Sequence, residues 1–183
     1  SLYILRSRFD GNGNCEKFCG HAVYAGAISS LTVQASDFRN HRFGHHIKSH
    51  ALVSNIVGNS ISDALSGTSS YAINLPNSGT AMIRGNAIQK GRLSDNIHCA
   101  ICIGEEIAPP GEAGTPKRKG TKANPSRGIV VAGNSFRNDS GAAETVFVWN
   151  RGPHKVTLQG NVLTGPGTAY FVGPKPEKTP RRQ

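Results

Sequence analysis

Apolar and polar positions alternate in short runs along the whole chain, and the runs recur. Six segments align: LYILRSRF (2–9), LTVQASDF (31–38), NIVGNSI (55–61), MIRGNAI (82–88), VVAGNSF (130–136) and TLQGNVL (157–163). Each has an alternating apolar stretch, a small polar residue, and an apolar residue two positions later. The polar positions are Ser7, Ser36, Asn59, Asn86, Asn134 and Asn161, spaced by 29, 23, 27, 48 and 27. A second set follows in step: HAVYAG, HHIKSH, YAINLP, CAICIG, VFVWNR and AYFVGP. Aligned on Val23, Ile47, Ile73, Ile101, Val148 and Phe171, it gives spacings of 24, 26, 28, 47 and 23. Period-2 alternation marks half-buried strands. Two strand sets that share one period, and share one outlier, mark a repeat architecture.

A coil of about 25 residues is too thin to bury its apolar side alone, so such coils stack. The pattern therefore predicts an all-β fold, a right-handed parallel β-helix (solenoid) of about six coils. The hand follows from the usual sense of parallel crossovers. Equivalent residues of adjacent coils would lie ~4.8 Å apart, and the asparagines would stack as an inward amide ladder at a tight bend. The plainer reading of those asparagines is ordinary turn residues. The predicted domain is 1–173, with a long loop insertion at 104–127 and a basic, proline-rich tail at 174–183. With the chain starting at Ser1, a native N-terminal cap or a secretion signal is expected to be absent or already removed.

Composition agrees with this picture. The 183 residues include 22 Gly, only 37% are apolar, and no run reaches the ~18 apolar residues of a membrane span. A coiled coil, a collagen-like chain and a membrane partner are thus not expected. The net charge is +10. The loop carries +2 of it and the tail +3, so half sits on the coils. Basic loops and tails bind nucleic acid weakly and in a salt-dependent way. No recognition motif accompanies them, so no specific nucleic-acid partner is expected. The cysteines fall in two close pairs, Cys15/Cys19 and Cys99/Cys102. Disulfides, free thiols or a metal site all fit that count. Strand parity, however, points Cys99 inward and Cys102 outward, so these two are not expected to share a metal.

Parity on the second strand set sends Ala22, His46, Ala72, Ala100, Phe147 and Tyr170 outward in one row, and Tyr24, Lys48, Asn74, Cys102, Trp149 and Val172 outward in a parallel row. His41, His45, His46 and His50 fall in RNHRFGHHIKSH, with His45 expected inward and His41 in a turn beside Arg39 and Arg42. A cationic, phenol-bearing strip suits an anionic polymer, and for a uronate polysaccharide the matching chemistry is β-elimination. Lys48 is then the candidate base, its amine eased toward neutrality by flanking cations. Tyr24 or His46 is the candidate acid. Asn74 and Arg42 would hold the carboxylate, with His50 at the bend and Trp149 as a further sugar-stacking position. The bland reading makes Lys48 and His46 solvated residues on a sheet face, with Tyr24 packed beside them.

The run GHAVYAG…LTVQASDF…FGHHIKSHA…GTSSYAINLPNSG…IRGNAI resembles a group of bacterial right-handed parallel β-helix proteins of the pectin-lyase-like superfamily, over roughly residues 1–100. The resemblance implies the fold and, for such proteins, a secreted or periplasmic location. It leaves the activity open among polysaccharide lyases, hydrolases, epimerases and non-catalytic surface proteins. Hydrolases of the superfamily carry N-T-D, D-D, G-H-G and R-I-K motifs. Here GHHIKSH only echoes the last two, and no adjacent Asp pair exists, which disfavours hydrolysis. Calcium-dependent lyases gather aspartates, whereas Asp10, Asp37, Asp63, Asp95 and Asp139 are scattered. The expectation is a metal-free polysaccharide lyase without a cofactor, or else a glycan-binding or structural β-helix module.

Overall fold

The computed structural model describes residues 1–13, 20–107 and 122–173. Cys15, Cys19, most of the predicted loop and the basic tail lie outside the described residues. Within them the chain winds as a parallel β-solenoid of about five turns, its walls being three sheets of six strands each.

The first strand set of the sequence is in fact two strands per coil, divided at the ladder residue. The first sheet holds Leu2–Leu5, Ser30–Gln34, Val53–Val57, Thr80–Arg84, Ile129–Ala132 and Val156–Gln159. The second holds Arg8–Asp10, Asp37–Arg39, Ser60–Ser62, Ala87–Lys90, Ser135–Asn138 and Val162–Thr164. Between them the residue before each ladder position has a positive φ: Arg6 47°, Ala35 50°, Gly58 64°, Gly85 63°, Gly133 59° and Gly160 58°. One left-handed residue per coil turns the corner, which explains why glycine precedes asparagine in four coils.

The amide ladder is present. Asn86 is representative: its Oδ1 accepts from Asn59 N and Asn59 Nδ2, both at 2.9 Å. Its Nδ2 donates to Ile56 O and Asn134 Oδ1, again at 2.9 Å. All four hydrogen-bonding positions of the buried amide are used. The ladder runs on to Asn161 at one end; at the other, Ser36 N donates to Asn59 Oδ1 and Ser7 N to Ser36 Oγ.

The third sheet holds Val23–Ala25, Ile47–Ser49, Ile73–Leu75, Cys99–Ile103, Val146–Asn150 and Thr168–Val172. Its inward row is Val23, Ile47, Ile73, Ile101 and Val148, each in register with the next. In the last coil the register is one residue off the expected alignment. Tyr170, not Phe171, pairs with Val148, and Phe171 rather than Val172 pairs with Trp149.

The row before it departs more. His46, Ala72, Ala100 and Phe147 are buried, and the last three belong to the apolar core. The backbone shows why. Ala22 N and Val23 N donate to His45 O and His46 O, and His46 N and Ile47 N to Tyr71 O and Ala72 O. In a straight parallel strand alternate N–H groups face the same neighbour. Two consecutive ones facing it mark a bend, which turns two successive side chains inward and inverts the parity ahead of it. His45 therefore lies outward and His46 inward, the reverse of the expectation. Cys99 likewise lies on the outer side, where it forms a disulfide with Cys102 inside a small cluster with Tyr71, Val146 and Trp149.

Candidate functional site

The outer wall of the third sheet carries the predicted row. Tyr24 pairs with Lys48, and Lys48 with Asn74, on three consecutive coils. Tyr24 is 58% exposed. The Lys48 ammonium lies 5.9 Å from the centre of its ring, and His50 meets the same ring edge-on at 5.4 Å.

The wall is not a bare cationic strip. After Ile103 the chain leaves the sheet through Gly104, whose φ of +80° suits glycine and whose missing side chain leaves room for the Gly152 backbone. Gly104 N and Glu106 N donate to Leu75 O and Pro76 O, pinning the turn to the preceding coil. Two carboxylates are thereby folded onto the row. Lys48 Nζ donates to Glu106 Oε1 at 2.7 Å. Asn74 Nδ2 donates to Glu105 Oε2 at 2.6 Å, and the Tyr71 hydroxyl to Glu105 Oε1 at 2.9 Å. Asn96 Nδ2 in turn donates to Tyr71 Oη at 2.9 Å. Burial raises the Glu105 pKa above the usual carboxyl value, although both donors oppose the shift. The neighbour of Lys48 is thus a carboxylate, not the flanking cations expected to ease its amine toward neutrality.

His21 and His45 add little positive charge. His21, His45 and Tyr71 stack coil on coil, with ring centres 4.6 Å apart at each step. His45 N donates to His21 Nδ1, and Tyr71 N to His45 Nδ1, so those nitrogens act as acceptors and the protons belong on Nε2. Burial first, then Lys48 and His50, lowers the pKa of His21 to about 4. Burial drives His45 lower still. Both rings are neutral at pH 7.

The other predicted site residues are dispersed. His46 is 1% exposed and faces Asp63, with Nε2 at 3.2 Å from Oδ1, so it cannot serve as an acid on the outer wall. Arg42 is exposed in the turn before Ile47, its backbone bridged to Thr68. Among the described residues no hydrogen bond or ion pair joins its guanidinium to the row. His50 Nδ1 meets Asn77 Oδ1 at 2.5 Å, beside the Lys48–Glu106 pair. Trp149 keeps its place in the row, but it is buried against the disulfide and Phe171, and Nε1 donates to Gly173 O. Its faces are not free to stack a sugar.

Sequence reading missed Glu105, Glu106, Tyr71 and His21. A signal for the first two existed: a glycine closing the strand CAICI, followed at once by two glutamates, on the coil next to Asn74. Searched against protein-family models, curated proteins and solved structures, the chain gives no match.

Proposed function

We propose that this solenoid acts on a uronate-containing, acidic polysaccharide by β-elimination, on the outer wall of its third sheet. The observation that carries the reading is that donors on this wall already hold carboxylates. Lys48 grips one, and Asn74 with Tyr71 grips another, each supplied by the chain's own Glu106 and Glu105. A uronate that displaced either glutamate would meet the same donors, and charge-assisted hydrogen bonds of this kind are the stronger ones.

In this reading Lys48 and Asn74 neutralise the uronate carboxylate and so acidify the carbon beside it. The proton on that carbon passes to the Tyr24 phenolate oxygen, the adjacent carbon–oxygen bond breaks, a carbon–carbon double bond forms, and the departing sugar oxygen takes that proton from Tyr24. Tyr24, an exposed phenol one coil from Lys48, is the group placed to move that proton. Lys48, already bound to a carboxylate, fits charge stabilisation better than proton abstraction. A uronate substrate places the protein in a secreted or periplasmic setting.

The test is incubation with alginate, pectate and glycosaminoglycans while unsaturated product is followed by absorbance. Turnover by the parent protein, its loss in Tyr24→Phe and a raised KM in Lys48→Ala are expected. Silence across the panel removes the lyase reading. A second reading, a non-catalytic glycan-binding module, is favoured by the pairing of Lys48, Asn74 and Tyr71 with internal carboxylates. It predicts binding without product, retained in Tyr24→Phe.

A further inference from the structure

Away from that wall, the bend leading into the third sheet buries two imidazoles. His41 and His46 are each 1% exposed. Both ring nitrogens of His41 and Nδ1 of His46 have no hydrogen-bond partner. A buried polar atom without a partner has given up its water for nothing, so three at one bend call for an explanation. The groups around them are not short of partners. Asp63 accepts from Gly91 N at 3.0 Å and from Ser94 Oγ at 2.5 Å, and Lys90 Nζ donates to Ser70 O at 2.6 Å. The deficit belongs to the histidines alone.

Their geometry suits a shared ligand. The two ring centres lie 5.5 Å apart, with the planes tilted by 47°. An ion ~2.1 Å from one nitrogen of each ring, at a tetrahedral angle, sets two imidazole centres roughly 5 Å apart. His46 has its Nε2 on Asp63, which leaves Nδ1 as the lone-pair donor. A carboxylate on the far nitrogen is the usual way a ligating imidazole is oriented and kept in one tautomer.

We propose that His41 and His46 bind a divalent transition-metal ion of the zinc type, with Asp63 as the positioning residue for His46. Imidazole pairs suit zinc, copper, nickel and iron rather than calcium or magnesium. Among the described residues no three His, Cys, Asp or Glu side chains converge on one point. The described side chains thus supply two ligands, and the other positions belong to water or to donors beyond these two rings. The competing occupant is ordered water, which would satisfy the same nitrogens and bind no metal.

The experiment uses the full chain, stripped with EDTA and titrated calorimetrically with zinc chloride, then with cobalt chloride as a spectroscopic probe. One ion per chain, micromolar binding or tighter, and a higher melting temperature are expected. His41→Gln and His46→Gln should each weaken binding by about tenfold or more, and Asp63→Asn by about 10–100-fold. His50→Gln and His154→Gln, which change histidines outside the bend, should leave binding intact. Absence of binding at tens of micromolar zinc, or full binding in His41→Gln, overturns the proposal. Should the glutamine variants fail to fold, imidazole nitrogen shifts of the parent protein decide. Zinc must move two histidine rings and no others, and any other pattern overturns the assignment.

Discussion

Two corners of this solenoid bury polar side chains, and they are built on opposite plans. At the corner between the first and second sheets one small polar residue per coil, an amide in four coils and a serine in two, repeats on the same site, and Asn86 uses all four of its hydrogen-bonding positions. At the bend into the third sheet, His41, His46, Asp63 and Lys90 are all buried, none repeats, and three imidazole nitrogens go unpartnered. The first corner is a structural device. A solenoid needs its bend satisfied at every turn, and a stacked amide does that with one residue type. The second occurs once and is held by charges, with Asp63 accepting from Gly91 N and Lys90 donating to Ser70 O. A unique and costly polar cluster beside a repeated and inexpensive one is where function is to be sought.

The sharpest way to break the comparison is to remove one rung from the ladder. Asn86→Ala leaves Asn59 N and one of the two Nδ2 hydrogens of Asn59 without an acceptor in a dry interior, and takes a donor from Ile56 O. Each such group costs about 1–3 kcal/mol, so a loss of about 4 kcal/mol or more is expected in urea unfolding. Asn161→Ala, at the partly exposed end of the ladder, should cost about 1 kcal/mol, within the range of one net hydrogen bond. Equal losses at the two sites would mean that the amides act singly and not as a stack.

Next in size is the charged bend. Burial alone would raise the Asp63 carboxyl, but hydrogen bonds from His46, Ser69 and Ser94 outweigh it and hold the pKa well below the usual range. Asp63→Asn removes the charge that these donors and the nearby Lys90 ammonium rely on. Breaking a buried pair in this way costs about 3 kcal/mol, and the same urea experiment measures it. A neutral outcome would show that the bend holds these groups without needing the charge.

Legibility in the sequence follows the same divide. The coils, the inward row in five of six coils and the ladder could be read because each is written repeatedly, so chance spacing is averaged away. The last coil, where Tyr170 rather than Phe171 pairs with Val148, has no following coil among the described residues to fix its register. The Tyr24–Lys48–Asn74 register was legible through the same repetition. The bend at residues 45–46 was not, since a single extra turn of the backbone inverts parity and leaves no mark in an alternating pattern. Nor could periodicity place Glu105 and Glu106. They sit in a turn outside the repeat, and their position depends on how Gly104 packs against the backbone of Gly152.

Lys90 gives the bend a pH signature that the ladder lacks. It is 3% exposed, and burial lowers its ammonium to about 8 from 10.5, with Asp63 and Asp95 resisting. Between those values the unfolded chain keeps a proton that the folded chain has released, so stability rises with pH. From pH 7 to 10 the gain is on the order of 2 kcal/mol. Above pH 10 Tyr71 opposes it. Burial raises that phenol, so the unfolded chain ionises first and stability falls. On the acid side His21 and His41, each lowered to about 4 chiefly by burial, make stability drop as pH falls from 6.5 toward 4. Melting temperatures across this range should show the alkaline rise, and Lys90→Met should abolish it. Persistence of the rise in that variant would assign it to another group.

The smallest effect tests whether the ladder corner is as regular in backbone as in side chain. Ala35 and Arg6 occupy the left-handed position that Gly58, Gly85, Gly133 and Gly160 fill in the other coils. A side chain there costs roughly 1–2 kcal/mol, because Cβ crowds the following carbonyl. Ala35→Gly removes that strain but frees the unfolded chain, which returns part of the gain. A net stabilisation of about 0.5–1 kcal/mol is therefore expected. Gly85→Ala runs the exchange backwards. No heavy atom lies within 4 Å of the Cβ it would add, so its cost is purely conformational and should be about 1 kcal/mol. If the two substitutions shift the urea midpoint by similar amounts in opposite directions, the corner is one conformation repeated in every coil. If Ala35→Gly destabilises, the second coil turns its corner by a different balance, and its serine rung, Ser36, is the place to look.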